Sequence, residues 1–247
     1  MKAAPGSPSI FNDVLGPVMR GPSSSHSAAA NRIGRLCRDL AGGDIEQAVI
    51  DYDPSGSLVT THSSQGTDMG LYGGFLGWPA DDARLPYYEQ YLAESGLQVE
   101  VRYLDFDAVH PNHYRLRIRG GNGRQHSLQA LSTGGGMLEL IDIDGHALNC
   151  AGDYYELLLY LDDEADEERI RAEVSALQVP ERYQRSEASG RLLCFSFSAG
   201  PDGSLLRYLE AHPGIESHRL LHPVLPVLSR RDQAVPFQSA EQMLKFN

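Results

Sequence analysis

Lysine is almost missing from this chain: only Lys2 and Lys245 occur, both near an end. Neither is placed to hold a Schiff base in a buried site, which speaks against pyridoxal phosphate chemistry. Cysteine is scarce as well. Cys37, Cys150 and Cys194 stand far apart with no CxxC among them, so no disulfide framework and no self-contained zinc or iron-sulfur motif is readable, and no metal site is assigned to this chain. The three read as reduced, buried thiols. No apolar run approaches the ~20 residues that cross a bilayer, and the start MKAAPGSPSIF lacks the apolar core of a secretory signal. A cytoplasmic protein without membrane contact is expected. Positive charge is in deficit too: the net charge is −12, which disfavours nucleic acid and anionic membranes, because both are bound mainly through clustered Lys and Arg. Small molecules and proteins remain as partners.

What is present fits an α+β protein of two units, since 247 residues with 41% hydrophobic content suit a soluble chain with a sizeable core. Short apolar residues at 10–15 and Gly-Pro pairs at 16–17 and 21–22 precede a helix over 27–40, whose Ala30, Ile33, Leu36, Cys37 and Leu40 line one face. AVIDYD and SLVTTH, separated by the turn PSGS, read as a hairpin. TDMGLYGGFLG reads as a helix whose glycines imply close packing against another backbone. LPYYEQYLAESG is an amphipathic helix with a glycine stop. VEVRYLDF, HYRLRIRG, HSLQALSTG and GMLELIDIDG alternate as antiparallel strands do. From Tyr154 the order becomes βαββαβ, that of a ferredoxin-like unit, with the acidic run DDEADEE at a helix start where negative charge is favourable. The expected divisions are 8–147, 152–224 and a linker-like tail at 225–247, which reads as leading to a further domain.

Four clusters carry candidate chemistry. Ser23, Ser24, Ser25 and Ser27 surround His26 at a helix start, where unpaired N–H groups and partial positive charge suit a carboxylate or phosphate, and His26 adds a group that exchanges protons near neutrality. The plainer reading is one capping serine and solvated neighbours. His62, Gln65, Thr67 and Asp68 lie in THSSQGTD; there Thr67 and Asp68 also read as a cap and a favourable first-turn charge. HPNHY holds His110, Asn112 and His113 in a Pro-containing turn, and STGGG at 132–136 is either a generic glycine bulge or a site of close backbone approach.

Taken together, FNDVLGPVMRGPSSSHSAAANRIG, GSLVTTHSSQGTDMGLYGGFLG, HPN and LSTGGGMLELIDIDG resemble, in order and spacing over about residues 9–147, the beta domain of bacterial iron-sulfur-dependent L-serine dehydratases. The βαββαβ unit is similar in position and order to the ACT-type domain of beta subunits, with DDEADEE in place of an Asp-Arg-Pro-Gly-like turn. The resemblance implies a lyase complex in which an alpha-type subunit carries a 4Fe-4S cluster. An open iron site there would act as Lewis acid on the hydroxyl of L-serine while a base removes the alpha proton, giving pyruvate and ammonia. It further implies inactivity of this chain alone, catalytic roles for His26, His62 and His110, and substrate contacts from Ser23, Ser24, Ser25, Ser27, Gln65, Thr67, Asp68 and Asn112. A homo-oligomer through the ACT-like unit is also compatible with it. The family presents a histidine where this chain has Gln65, and an amide cannot act as general base; His62, His26 or the partner must supply one, or the substrate is another small amino acid. The alternative is a regulatory module that binds serine or another small carboxylate without turnover.

Overall fold

The computed structural model describes residues 18–188 and 190–225, with 241 and 244. The apolar stretch at 10–15, the first Gly-Pro pair and nearly all of the tail lie outside the described residues. Helix α1 (Ser24–Ala41) begins three residues earlier than the expected start at 27, so Ser24, Ser25 and His26 form its first turn instead of preceding it. It ends at Gly42, whose φ of 77° lets the N–H groups of Gly42 and Gly43 turn back onto the carbonyls of Asp39 and Arg38, both at 3.0 Å.

Strand β1 (Ile45–Tyr52) follows, and the expected hairpin does not form. SLVTTH is instead a single helical turn, α2 (Leu58–Thr61). The β-branched residues that suggested a strand turn their hydroxyls inward: Thr60 and Thr61 donate to the Ser57 carbonyl at 3.1 and 2.8 Å, while Ser57 N–H is held by Pro111 O at 2.8 Å. Helix α3 (Thr67–Phe75) packs on α1 through glycine, as its sequence led us to expect. A Cβ on Gly70 would stand 2.0 Å from Ser27 O, one on Gly74 2.2 Å from Asn31 O, and one on Gly34 2.4 Å from Leu71 O. Asn31 stitches the contact, donating to Gly70 O at 3.3 Å and Trp78 O at 3.0 Å. A 3-10 turn (Leu85–Tyr87) leads into α4 (Tyr88–Ser95), stopped by Gly96 at φ 75°.

Strands β2 (Gln98–Tyr103), β3 (His113–Gly120), β4 (Gln125–Gly134), β5 (Met137–Ile143) and β6 (His146–Cys150) complete a six-stranded sheet in the order β2-β1-β3-β4-β5-β6. Two points depart from expectation. β2 runs parallel to β1, from Gln47 opposite Gln98 to Tyr52 opposite Tyr103, because α2, α3 and α4 form the crossover a parallel pair requires. β6 was not foreseen; it returns on β5 through Asp144 and Gly145, both at positive φ as a two-residue hairpin turn demands.

The second sheet contains β7 (Tyr155–Leu161), β8 (Arg182–Ser186), β9 (Arg191–Phe197) and β10 (Ile215–Leu221), interleaved with α5 (Glu167–Leu177) and α6 (Gly203–Ala211). Its order is β10-β7-β9-β8 with every pair antiparallel, the split βαβ arrangement of ferredoxin-like units. Asp166 and Asp202 cap the two helices, accepting from Arg169 N at 3.0 Å and from Ser204 and Leu205 N at 2.8 and 2.9 Å. The run YELLLYL is apolar on both faces for a reason. Leu157 and Leu159 pack with Phe195, Ile170 and Leu205 under the helices, whereas Leu158, with Leu192, Cys194 and Leu221, joins the core of the first sheet beside Leu128, Leu138, Leu140 and Ile143.

Candidate functional site

Ser23 stands at the N-cap of α1 with extended backbone, yet no side chain caps the helix and no acidic residue occupies its first turn. The Ser23 hydroxyl turns sideways, lying 3.3 Å from Ser25 Oγ and 2.9 Å from His26 Nδ1. The plainer reading of one capping serine is therefore replaced by a hydroxyl–imidazole pair beside a bare helix start, where N–H dipoles favour an anion. Ser24 is exposed, and Ser27 is buried with its hydroxyl on Arg20 O.

The second cluster touches the first. Ser23 N–H donates to Gln65 O at 3.3 Å, and the neighbouring Gly66 lies against Pro22 and Ser27. Gln65 thus joins the site through its backbone. The cap of α3 is Gly66 in left-handed geometry, not Thr67 or Asp68; both of those are buried. Asp68 points its Oδ2 at His62 Nδ1, 2.7 Å away, and His62 Nε2 lies 2.8 Å from the Tyr103 hydroxyl at the end of β2. The Tyr52 ring, fully buried, flanks the imidazole at 5.2 Å between centroids. Burial pushes the Asp68 carboxyl up, opposed by its bond to His62. Such a pair fixes the imidazole with Nδ1–H toward the carboxylate, leaving Nε2 as the nitrogen that can take a proton. Burial also raises Tyr52 well above the usual phenol range, so its hydroxyl stays protonated.

The third cluster reaches the second through α2, whose ends are Ser57 and His62. Ser57 donates its hydroxyl to Asn112 Oδ1, and Asn112 N–H donates to His110 Nδ1 at 3.0 Å. Beneath this loop, Asp53 accepts from Ser55, Phe106 and Ala108; the Ser55 hydroxyl contributes most to holding its carboxyl well below the usual range. A shallow cavity of 160 Å³, lined by Ser55, Gly56, Ala108, Val109, His110 and Pro111, opens beside it. His113 is buried against the Phe106 ring, and burial lowers its pKa.

STGGG runs from the end of β4 into the turn before β5, with a bulge between Ser132 and Gly134 and positive φ at all three glycines. Ser132 N–H bonds Asn112 O at 3.0 Å, and Gly136 O accepts from the Arg32 guanidinium at 2.5 Å. Arg32 is buried, which lowers its pKa to about 10 through desolvation first and the Arg35 charge second. The four clusters are therefore linked, the first to the second and the third to the fourth by backbone hydrogen bonds and the second to the third through α2. Sequence reasoning missed two members, Tyr103 and Arg32; Arg32 sits inside the quoted serine-histidine stretch, while nothing in VEVRYLDF marked Tyr103. Two larger cavities, of 460 and 390 Å³, share Gln125, His126 and Asp144 and include none of the cluster residues.

Comparison with known proteins gives a consistent result. Over 155 residues the chain is 36% identical to the probable L-serine dehydratase beta chain of Bacillus subtilis (strain 168), covering 63% of this chain and 69% of that one. Over 148 residues it is 32% identical to the L-serine dehydratase beta chain of Peptoniphilus asaccharolyticus, covering 60% and 66%. The chain thus spans about two thirds of the length of these relatives. No protein-family profile matches it. Among the described residues, no helix is long and apolar enough to cross a membrane.

Proposed function

The chain belongs to the family of L-serine dehydratase beta chains, and from that premise we propose that it serves as the beta subunit of a two-subunit, iron-sulfur-dependent enzyme converting L-serine to pyruvate and ammonia. The cluster does not fit this chain. A 4Fe-4S cluster needs a full set of thiolates, whereas Cys37 is buried on the core face of α1 and does not join Cys150 and Cys194. In this reading the alpha-type partner carries it, and the roles below concern this chain's own residues.

The observation that carries the reading is the His62–Asp68 pair, whose Nε2 lies 2.8 Å from the hydroxyl of a half-exposed Tyr103. A substrate approaching from solvent displaces that hydroxyl and presents its alpha hydrogen to Nε2. The alpha proton passes to His62, whose imidazolium Asp68 steadies, while the beta hydroxyl departs as hydroxide, which is assisted by the partner's cluster as Lewis acid and ends as water once protonated. The aminoacrylate released then tautomerises and hydrolyses. The substrate carboxylate is received by the uncapped start of α1 with the Ser23 and Ser25 hydroxyls, and His26, bonded to Ser23, sets their orientation. His110 and Asn112 hold α2, and with it His62, through Ser57. Gln65 needs no titratable side chain for this, because its contribution is the carbonyl that anchors Ser23. Exposed Tyr103, Leu104 and Val109 give the neighbourhood an apolar rim for the partner to cover.

The test is pyruvate formation from L-serine by the complex prepared without oxygen. Wild type is expected to turn over, while His62→Asn in an assembled complex loses ~100-fold or more, the scale of a positioned base. Unchanged turnover in His62→Asn removes the base assignment. An intact, cluster-loaded complex that yields no pyruvate removes the serine reading, and L-serine binding to the chain alone would then favour a regulatory module.

A further inference from the structure

Cys150, Glu156 and Cys194 come from three strands and two sheets, yet their ligand atoms all lie within 4.8 Å of one another, and all three residues are buried. Cys150 ends β6 of the first sheet; in the second, Glu156 on β7 is paired with Ser196 on β9, and Cys194 lies two residues before Ser196 on that strand. Glu156 Oε2 accepts from the Ser196 hydroxyl at 2.6 Å and from the Cys194 thiol at 3.4 Å. Its other oxygen, Oε1, is buried without a hydrogen-bond partner. A buried carboxyl oxygen left unpaired is unfavourable, and a bound cation would satisfy it.

We propose that Cys150, Cys194 and Glu156 form a closed structural zinc site that fastens the two sheets together. Tetrahedral zinc places two ligand sulfurs about 3.8 Å apart at Zn–S bonds of ~2.3 Å, inside the 4.8 Å that spans the three ligand atoms. Two thiolates with one carboxylate select zinc over magnesium or calcium. The Glu156 carboxylate supplies the oxygen ligand, and the Ser196 hydroxyl on Oε2 helps to hold it in place. The remaining position falls to an enclosed water or to that hydroxyl. On binding, the two thiol protons and any carboxyl proton are released to solvent, and no bond is oxidised or reduced. With only two cysteines the cluster is too poor in thiolate for iron-sulfur chemistry, so this site is separate from the one assigned to the alpha partner.

The full-length chain is purified under reducing conditions from zinc-supplemented culture without chelator, and its metal content is measured. About one zinc per chain is expected, as for a structural site. Replacement by Co²⁺ should give thiolate-to-cobalt charge-transfer absorption in the near ultraviolet. Cys194→Ser should abolish both, and the nearly isosteric Glu156→Gln should weaken cobalt affinity by about tenfold or more, the scale of losing one supporting group at a metal site. A folded wild-type chain without zinc and without a cobalt charge-transfer band overturns the proposal. So does an intact mass two hydrogens short, which marks a Cys150–Cys194 disulfide instead.

Discussion

Replacing Gly70 by alanine puts a single methyl group into the contact that aligns the two helices bearing the site. The Cβ would lie 2.0 Å from Ser27 O and 2.8 Å from Ser27 C, whereas ordinary contact begins at 3.4 Å. The obstacle is backbone on both sides, so no rotamer change relieves it, and α3 must withdraw from α1 by about 1.4 Å against close-packed surroundings. Overpacking of this kind costs about 1–3 kcal/mol, and a rigid obstacle places it at the upper end. The better helix propensity of alanine returns about 1 kcal/mol. A net loss of about 2 kcal/mol lowers the melting temperature of a domain of this size by roughly 4–8 °C. Gly121→Ala is the control, since its Cβ would meet nothing closer than 3.9 Å and its φ is ordinary. Thermal unfolding followed by circular dichroism measures both. A Gly70→Ala protein melting within a degree of wild type would refute the argument that this contact is tight. In the assembled complex the same substitution should also depress turnover beyond its effect on stability, because it separates Ser27 from the segment bearing Gln65 and Asp68.

Asp51 is buried and receives the partly exposed Arg102, Arg115 and Arg117 at 2.7 to 3.2 Å, so Asp51→Asn leaves three mutually repelling guanidinium groups to solvent and should cost about 1–2 kcal/mol in urea unfolding. Asp202→Ala removes the only side-chain cap of α6 and should cost about 1 kcal/mol, read as a melting shift of roughly 2–4 °C. His113 has its folded pKa lowered by burial, so the folded state resists protonation; stability is full above the unfolded value of about 6.5 and falls as pH drops from there toward the folded pKa. His113→Leu should flatten that fall by up to about 1.4 kcal/mol per pH unit, and an unchanged acid limb would contradict it.

Much of the architecture was legible because burial writes a period into the chain. The βαββαβ unit, the glycine-packed α3 and the alternating strands β3, β4 and β5 follow from apolar spacing and turn residues alone. The failures share a cause: they depend on what lies opposite. SLVTTH has strand composition, but both neighbours of β1 are taken by β2 and β3, and the threonines satisfy Ser57 instead. The parallel sense of β2 is set by its crossover, not by its own residues. For the site, the clusters were visible as residue types, yet the bonds joining Ser23 to Gln65 and Ser57 to Asn112 link segments whose separation along the chain says nothing of their distance. The same applies to Cys150 and Cys194, which look isolated in sequence and are neighbours in space.

The shared core has a consequence for any attempt to divide the gene. Leu158, Leu192 and Leu221 belong to the second sheet by hydrogen bonding but to the first sheet by packing. A fragment cut in the loop after Cys150 would bare Leu128, Leu138 and Leu140 on one piece and those leucines on the other, giving two sticky halves in place of two soluble modules. Mutational drift, too, must pass through both at once: a larger side chain at Leu158 calls for a smaller one across the seam. The half built on the four-stranded sheet and the half that bears the clusters are in this sense tied through one core, and a substitution in either is felt in both.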